Sequence, residues 1–527
     1  MCPRTPRWMS LGSATLLVAL TLSPVARGQT TSMPDGGTVV QPQRWSEQGF
    51  EFTHALKPLV RQVQHNRQQA VARFQTTAPG GSSLAAAGHL KGPLRIQGTR
   101  RILVLPLLFK NSGPAPFAPE RLQQELFGSW PSGTLTDYFR EVSYGAFTLT
   151  GQVAQWRTVS REDTWYEGED FEEEGELKTC NGLCAGGRSH ELLKEALALY
   201  PEIDWRQYDN DGPDGVPDSG DDNGIADFVA FMHPEMGGEC YGLTPNLWSH
   251  RGSLRKSPGG MAFETSTPRR GGKGNILVDD YVVVPGLACD GNTMVQIGVF
   301  AHEVGHALGL PDLYDTDDSK NGQAGLGTWC LMAAGSWGAD RSSPHRPVHL
   351  SPWAKDYLGW LDLEWLSRPE QTVTLPAIEH HRKAYAVAVP GNESEHYILV
   401  NSLQAGFDSD LPASGLQVWH VRQQPLREGL ELNRVNIRPD AKGIDLVEAD
   451  GYEGLDALGA TASEGDLFPG SANARRFDST TRPAARGTLG ICDISNAGPT
   501  MTLRVVRGSG CAPAGQDESA SRTPSAP

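Results

Sequence analysis

Two histidines four residues apart enclose a glutamate at His302-Glu303-Val304-Gly305-His306. On a helix this spacing puts both imidazoles on one face, where they can reach a single zinc ion. Glu303, beside the first, then stands where a carboxylate can take a proton from zinc-bound water. The run continues Ala307-Leu308-Gly309-Leu310-Pro311-Asp312, which completes H-E-x-x-H-x-x-G-x-x-D. Gly309 can end the helix in a left-handed conformation and Pro311 prevents it from resuming, so Asp312 can approach the metal from a third direction. Three protein ligands leave the fourth position of a tetrahedral ion open for water. The expected chemistry is therefore hydrolysis, with His302, His306 and Asp312 as zinc ligands and Glu303 as general base.

A second constellation is Asp209-Asn210-Asp211-Gly212-Pro213-Asp214-Gly215-Val216-Pro217-Asp218, followed by Asp221, Asp222 and Asp227. Oxygen side chains at alternate positions, with glycines at the bends, can wrap a hard cation. The spacing is not that of an EF-hand. Structural calcium is expected on Asp209, Asp211, Asp214, Asp218, Asp222 and Asp227; the alternative is a solvated acidic turn, in which so many carboxylates would repel one another.

These side chains need elements to hold them. Val295, Ile297, Val299 and Phe300 give the zinc motif the apolar content of a buried helix. Upstream, an apolar strand Ile102 to Phe109, a helix Leu135 to Val142 that stops near Gly145, a strand Phe147 to Val153 and a helix Glu191 to Leu199 alternate as in an α/β domain. A strand Phe228 to Met232 follows the carboxylate cluster. The acidic stretch Glu167 to Glu176 reads as a solvated loop. Beyond Trp360 the texture changes to short β-prone runs, such as Ala384 to Val389, Tyr397 to Val400 and Leu416 to Val421, split by Gly, Pro and Asp turns. The expected fold class is an α/β (α+β) zinc peptidase domain followed by a β-sandwich-like C-terminal domain.

At the N-terminus, Arg4 and Arg7 precede an apolar run from Leu11 to Leu22 and the small residues Ala26 and Gly28, the pattern of an export signal. The run is too short for a bilayer span. The expected organisation is a signal over 1–28, a pro-segment and linker over 29–95 with a helix from Val60 to Phe74, a catalytic domain over 96–365, a β-rich domain over 366–508 and a disordered tail over 509–527. With 62 acidic and 46 basic side chains in 527 residues, the net charge of −16 argues against nucleic-acid binding through a basic surface and against anionic membranes once the signal is gone. Removal of Cys2 with the signal leaves seven cysteines, enough for three bridges with one over; proximity suggests Cys180 with Cys184 and Cys492 with Cys511.

The segment from Ile297 to Asp315 resembles the zinc-site block of the immune inhibitor A family of secreted bacterial metallopeptidases, a metzincin-like group. The resemblance extends to Tyr138-Phe139-Arg140-Glu141-Val142-Ser143-Tyr144-Gly145, to Trp248-Ser249-His250, to Gly327 through Trp337, and to Leu350-Ser351-Pro352-Trp353-Ala354-Lys355 with Leu358-Gly359-Trp360. It implies a secreted zinc endopeptidase acting on protein or peptide substrates, Met332 as the methionine of the turn beneath the zinc, and calcium as a structural ion. The family's E-x-R pattern is replaced here by Val400-Asn401-Ser402, and Ala334 stands where many metzincins carry a tyrosine. By analogy of fold, an extended substrate would add beside a sheet edge near Ile276 to Val284. In a latent precursor, Asp35, His54 or His65 could occupy the open zinc position; the alternative is that the segment only assists folding or covers the cleft sterically. The rival reading, a calcium-binding adhesin or lectin-like surface protein with a vestigial zinc helix, is opposed by the intact Glu303.

Overall fold

A computed structural model describes residues 30–32, 38–40, 56–77, 95–173, 176–184, 186–212, 214–240, 245–257, 260–270, 272–316, 325–456, 462–508 and 510–511. The stretch expected to be an export signal, Asp35, His54, residues 78–94 of the expected linker and the residues beyond 511 lie outside them. Among the described residues, no helix is long and apolar enough to cross a membrane.

The N-terminal part is built on a six-stranded sheet whose central order is Phe147–Val153, Gly98–Leu108, Phe228–Met236, Asp280–Leu287, His250–Ser253. The first four pair in parallel, and His250–Ser253 closes the sheet antiparallel to Asp280–Leu287. Side chains on a strand alternate between faces, and the Gly98–Leu108 strand divides accordingly: Ile102 and Val104 enter one core, Leu103, Leu105 and Leu107 the other. The second core is covered by the Ser189–Leu199 helix; the first is covered by Leu135–Val142 and by the zinc-motif helix, Ile297–Ala307. The Leu135–Val142 helix starts at the predicted residue because Thr134 and Asp137 form a reciprocal capping box.

The C-terminal part is sheet-rich. A five-stranded sheet, including Lys383–Val389, Asn392–Ser402 and Gly415–Arg422, faces a four-stranded sheet containing Glu370–Pro376 and Thr500–Arg507. Tyr385, Val387, Leu399 and Val418 of the first share a core with Val373, Leu375, Leu503 and Val505 of the second. The alternate residues Ala386, Ile398, Val400 and Trp419 instead join the core beneath the zinc-motif helix, so the two parts of the chain are packed through one continuous apolar layer.

Polar contacts fasten the same seam. Tyr144 donates to the Ile378 carbonyl at 2.6 Å, and Glu141 accepts from the Phe407 amide at 2.8 Å and contacts His349 Nε2 at 2.9 Å. The buried Lys355 ammonium lies 3.1 Å from His349 Nδ1. At the position of the missing E-x-R acid, Ser402 donates to Glu379 at 2.9 Å, and the buried Asn401 amide donates to the Gly498 carbonyl at 2.9 Å, which gives these residues a structural setting.

The helix expected in the N-terminal segment runs Lys57–Thr77. Leu59, Val60 and Val63 are buried in the first core, and Arg61 pairs with Glu431 at 3.0 Å while Arg67 pairs with Asp356. His65 is exposed, with its ring against Gln69.

Two expectations need correction. Glu167 ends the Asp163–Glu167 helix and is buried, and Phe171–Glu173 pairs with Glu176–Lys178, so the acidic stretch is not a simple solvated loop. Burial, with Glu235 nearby, pushes the Glu167 carboxyl up to about 9. The substrate edge expected near Ile276 to Val284 is also displaced: Asp280–Leu287 is flanked on both sides, and Asn275–Val278 pairs with Phe263–Pro268. Among the described residues the main sheet ends at His250–Ser253.

Among the described residues three disulfides form: the two expected from proximity, Cys180–Cys184 and Cys492–Cys511, and Cys240–Cys289, with Cys330 free and buried.

Candidate active site

The helix carrying His302 and His306 ends as its sequence requires. Gly309 takes φ +91°, in the left-handed region, and its amide donates back to the His306 carbonyl. The chain then turns so that Asp312 faces the helix it has just left. Ligand-type atoms of His302, His306 and Asp312 all lie within 4.8 Å of one another. Asp312 Oδ1 is 3.1 Å from His302 Nε2 and 3.4 Å from His306 Nε2.

The other imidazole nitrogens are committed. His302 Nδ1 lies 2.9 Å from the Leu331 carbonyl and His306 Nδ1 lies 2.9 Å from the Leu310 carbonyl. A carbonyl only accepts, so each Nδ1 donates its proton there and each Nε2 is the ring nitrogen left facing Asp312, where a bound cation would take its lone pair. Two imidazole lone pairs and one carboxylate oxygen form a donor set that suits zinc. With no cation between them, the groups hold one another: burial works against charge on His302, but the hydrogen bond and charge of Asp312 push it up to about 9. Burial likewise acts to raise Asp312, and His306 and His302 overcome it, holding its carboxyl far below the usual range.

Glu303 lies beside this group with 3% exposure, and its Oε2 has no hydrogen-bond partner. Burial pushes its carboxyl up to about 7, against the pull of His306 and His302. A buried carboxylate with an uncommitted oxygen can exchange a proton near neutral pH. Met332 is fully buried under the helix; a Cβ at Gly305 would meet its sulfur at 2.4 Å, so the glycine between the two histidines permits that contact. The Met332 carbonyl accepts from the Leu313 amide at 2.7 Å, which ties this segment to the loop carrying Asp312.

Sequence spacing did not point to two further residues. Glu239 is buried, accepts from Ser249 Oγ at 2.5 Å, and lies within electrostatic reach of His302 and Glu303. Asn433, from the sheet-rich part, bonds Asp312 twice: its Nδ2 donates to Oδ2 and its Oδ1 accepts the Asp312 amide, both at 2.7 Å. Nothing in the sequence links positions so far apart.

At the second constellation the structure brings Asp209, Asp211 and Asp222 within 4.8 Å of one another. Both oxygens of the fully buried Asp209 lack a hydrogen-bond partner, as does one oxygen each of Asp218 and Asp227. Burial, with Asp222 and Asp211 adjacent, pushes Asp209 up to about 7. Unpartnered buried carboxylate oxygens are the donors a hard cation takes. Asp214 is not part of this group: it is exposed, and its carboxylate accepts the Val216 amide at 2.7 Å in a local turn. Glu448, Asp450 and Asp466 also converge, but Glu448 is engaged by the Gly454 and Leu455 amides and Asp466 by Ser463 and Trp329.

Residues 117–365 match the family model described as Immune inhibitor A peptidase M6, catalytic domain. The chain is 30% identical over 258 residues to Immune inhibitor A of Bacillus thuringiensis subsp. alesti, covering 46% of this chain and 35% of that protein. It is 29% identical over 274 residues to Pre-pro-metalloprotease PrtV of Vibrio cholerae serotype O1 strain M66-2, covering 48% of this chain and 28% of that protein. The chain is thus similar to this metalloprotease family at moderate identity over about half its length, and spans 28–35% of the length of these curated relatives.

Proposed function

We propose, from a segment that matches the Immune inhibitor A peptidase family and a histidine pair turned toward one carboxylate, that this chain is a secreted zinc-dependent endopeptidase of extracellular proteins or peptides. The observation that carries the reading is the commitment of both Nδ1 atoms to carbonyls, which leaves two Nε2 atoms and Asp312 Oδ1 facing one point. His302, His306 and Asp312 would hold the zinc, which when bound acidifies water and polarises a scissile carbonyl. Glu303 takes a proton on its free Oε2 and returns it to the leaving amine. Its burial keeps the carboxyl near neutral affinity for that proton, and the apolar helix face around it excludes bulk water.

Asp209, Asp211, Asp218, Asp222 and Asp227 serve as a structural calcium site that braces the start of the Phe228–Met236 strand. Residues 1–28 act as an export signal and 29–95 as a removable pro-segment. Casein or gelatin zymography of the purified chain tests the catalytic reading. Clearing by wild type that is lost in Glu303→Ala is the expected result. No clearing by wild type cut between residues 78 and 89 to release the pro-segment, or equal clearing by the variant, overturns it.

A further inference from the structure

We propose that Asn433 is a positioning residue that restricts Asp312 to one metal-binding oxygen, an inference that rests on the zinc reading above. The buried Asn433 amide donates to Asp312 Oδ2 and accepts the Asp312 backbone N–H, each at 2.7 Å. One bond holds the carboxylate at Oδ2 and the other ties the same amide to the Asp312 backbone, so rotation of the carboxylate away from the histidines breaks a bond. The two bonds leave Oδ1 as the oxygen that faces His302 and His306.

The geometry suits an asparagine. Only a side-chain amide offers a donor and an acceptor side by side at this length, and Asn433 sits at φ +54°, a left-handed conformation that asparagine tolerates better than most residues. The loop that presents it is anchored on both sides of the seam. The Asn433 carbonyl accepts from Thr316 Oγ1 at 2.5 Å, and Asn436 Nδ2 donates to the Leu313 carbonyl at 3.0 Å and the Ile444 carbonyl at 2.9 Å.

The chemical consequence concerns coordination number. A carboxylate free to rotate can chelate an ion through both oxygens and occupy the position that water needs. An N–H bonded to Oδ2 competes for that oxygen's lone pair and keeps the carboxylate monodentate. The sheet-rich part thereby contributes to the metal centre without supplying a ligand.

The test uses the full chain, with zinc affinity measured by competition with a chromophoric chelator and with visible spectra of the cobalt(II)-loaded protein. Asn433→Gly removes the amide and keeps the left-handed backbone free of strain, Asn433→Ala removes the amide but strains the left-handed backbone, and Tyr144→Phe breaks a seam bond away from the metal group. Both Asn433 variants should bind zinc about 10–100-fold more weakly, the scale for loss of a group that orients a ligand, and should show weaker cobalt absorption as the coordination number rises. Tyr144→Phe should change neither by more than about twofold. Wild-type affinity and spectrum in Asn433→Gly, or equal weakening in Tyr144→Phe, overturns the positioning role. If His302→Ala binds zinc as tightly as wild type, the zinc reading itself fails; if only His302→Ala loses zinc, the reading stands and the role of Asn433 falls.

Discussion

Trp329 donates its indole N–H to Asp466 at 2.7 Å, joining a segment three residues before Met332 to a loop of the sheet-rich part. Both side chains are buried, so removing the acceptor leaves a polar hydrogen without water to bond it. Asp466→Ala should lower unfolding stability by about 1–3 kcal/mol in urea titrations. Trp329→Phe should cost less in that background than in wild type, because the two residues share one bond. Fully additive effects would show that the bond contributes nothing.

Glu303→Gln should retain stoichiometric zinc and lose at least ~100-fold in peptide hydrolysis, the scale of a general base. His302→Ala and Asp312→Ala each remove a donor and should lose the metal along with activity. Elemental analysis separates the two outcomes. Full zinc in Asp312→Ala would move the third ligand elsewhere.

Chelation by EGTA with zinc kept saturated should lower the melting temperature, because a cation that binds only the folded state stabilises it by mass action. Asp209→Asn should reduce the shift. Asp214→Asn should leave it intact, since the Asp214 carboxylate belongs to a surface turn. An unchanged melting temperature on chelation would remove calcium from the account.

In the calcium-free chain the same carboxylates give a pH dependence of defined sign. Asp209 has its folded-state affinity for protons raised to about 7, above the value of about 3.9 for an unfolded chain. The folded state therefore binds more protons between those values, and the contribution of Asp209 to stability is lost as pH rises through about 7. The difference in unfolding free energy between wild type and Asp209→Asn, followed from pH 4 to 8 in EGTA, should shift against wild type as pH rises. Saturating calcium should reverse the trend, since the ion favours the ionised form. A flat difference in EGTA would show that Asp209 ionises freely.

The sequence was most informative where a short stretch decides its own conformation. The Leu135–Val142 helix, with its capping box, and the Phe147–Val153 strand have the residues expected for them, and Gly309 turns the chain as its place before Pro311 suggests. Asn433 and Glu239 depend on tertiary packing across long stretches of chain, which no local spacing encodes. Glu167 misled because a run of acids is ordinarily solvated, whereas the fold buries this one at the end of a short helix, next in sequence to Tyr166, which packs on Phe109 in the second core. Asp214 looked equivalent to its neighbours in spacing, but a backbone turn took its carboxylate. The Cys240–Cys289 bridge, 49 residues apart, depends likewise on the fold and not on proximity along the chain.

The Lys57–Thr77 helix rests on the seam through Leu59, Val60 and Val63 and through Arg61 and Arg67. While it is covalently attached, its effective concentration at that seam is set by the linker and its occupancy is independent of dilution. A cut between Thr77 and Arg95 would turn it into a separate peptide with a dissociation constant of its own. Its departure would then follow protein concentration, and salt would speed release by screening the contact of Arg61 with Glu431 more than the less exposed contact of Arg67 with Asp356. Backbone cleavage and loss of the helix are therefore separable events, and a diluted, freshly cut sample would pass from one state to the other over time.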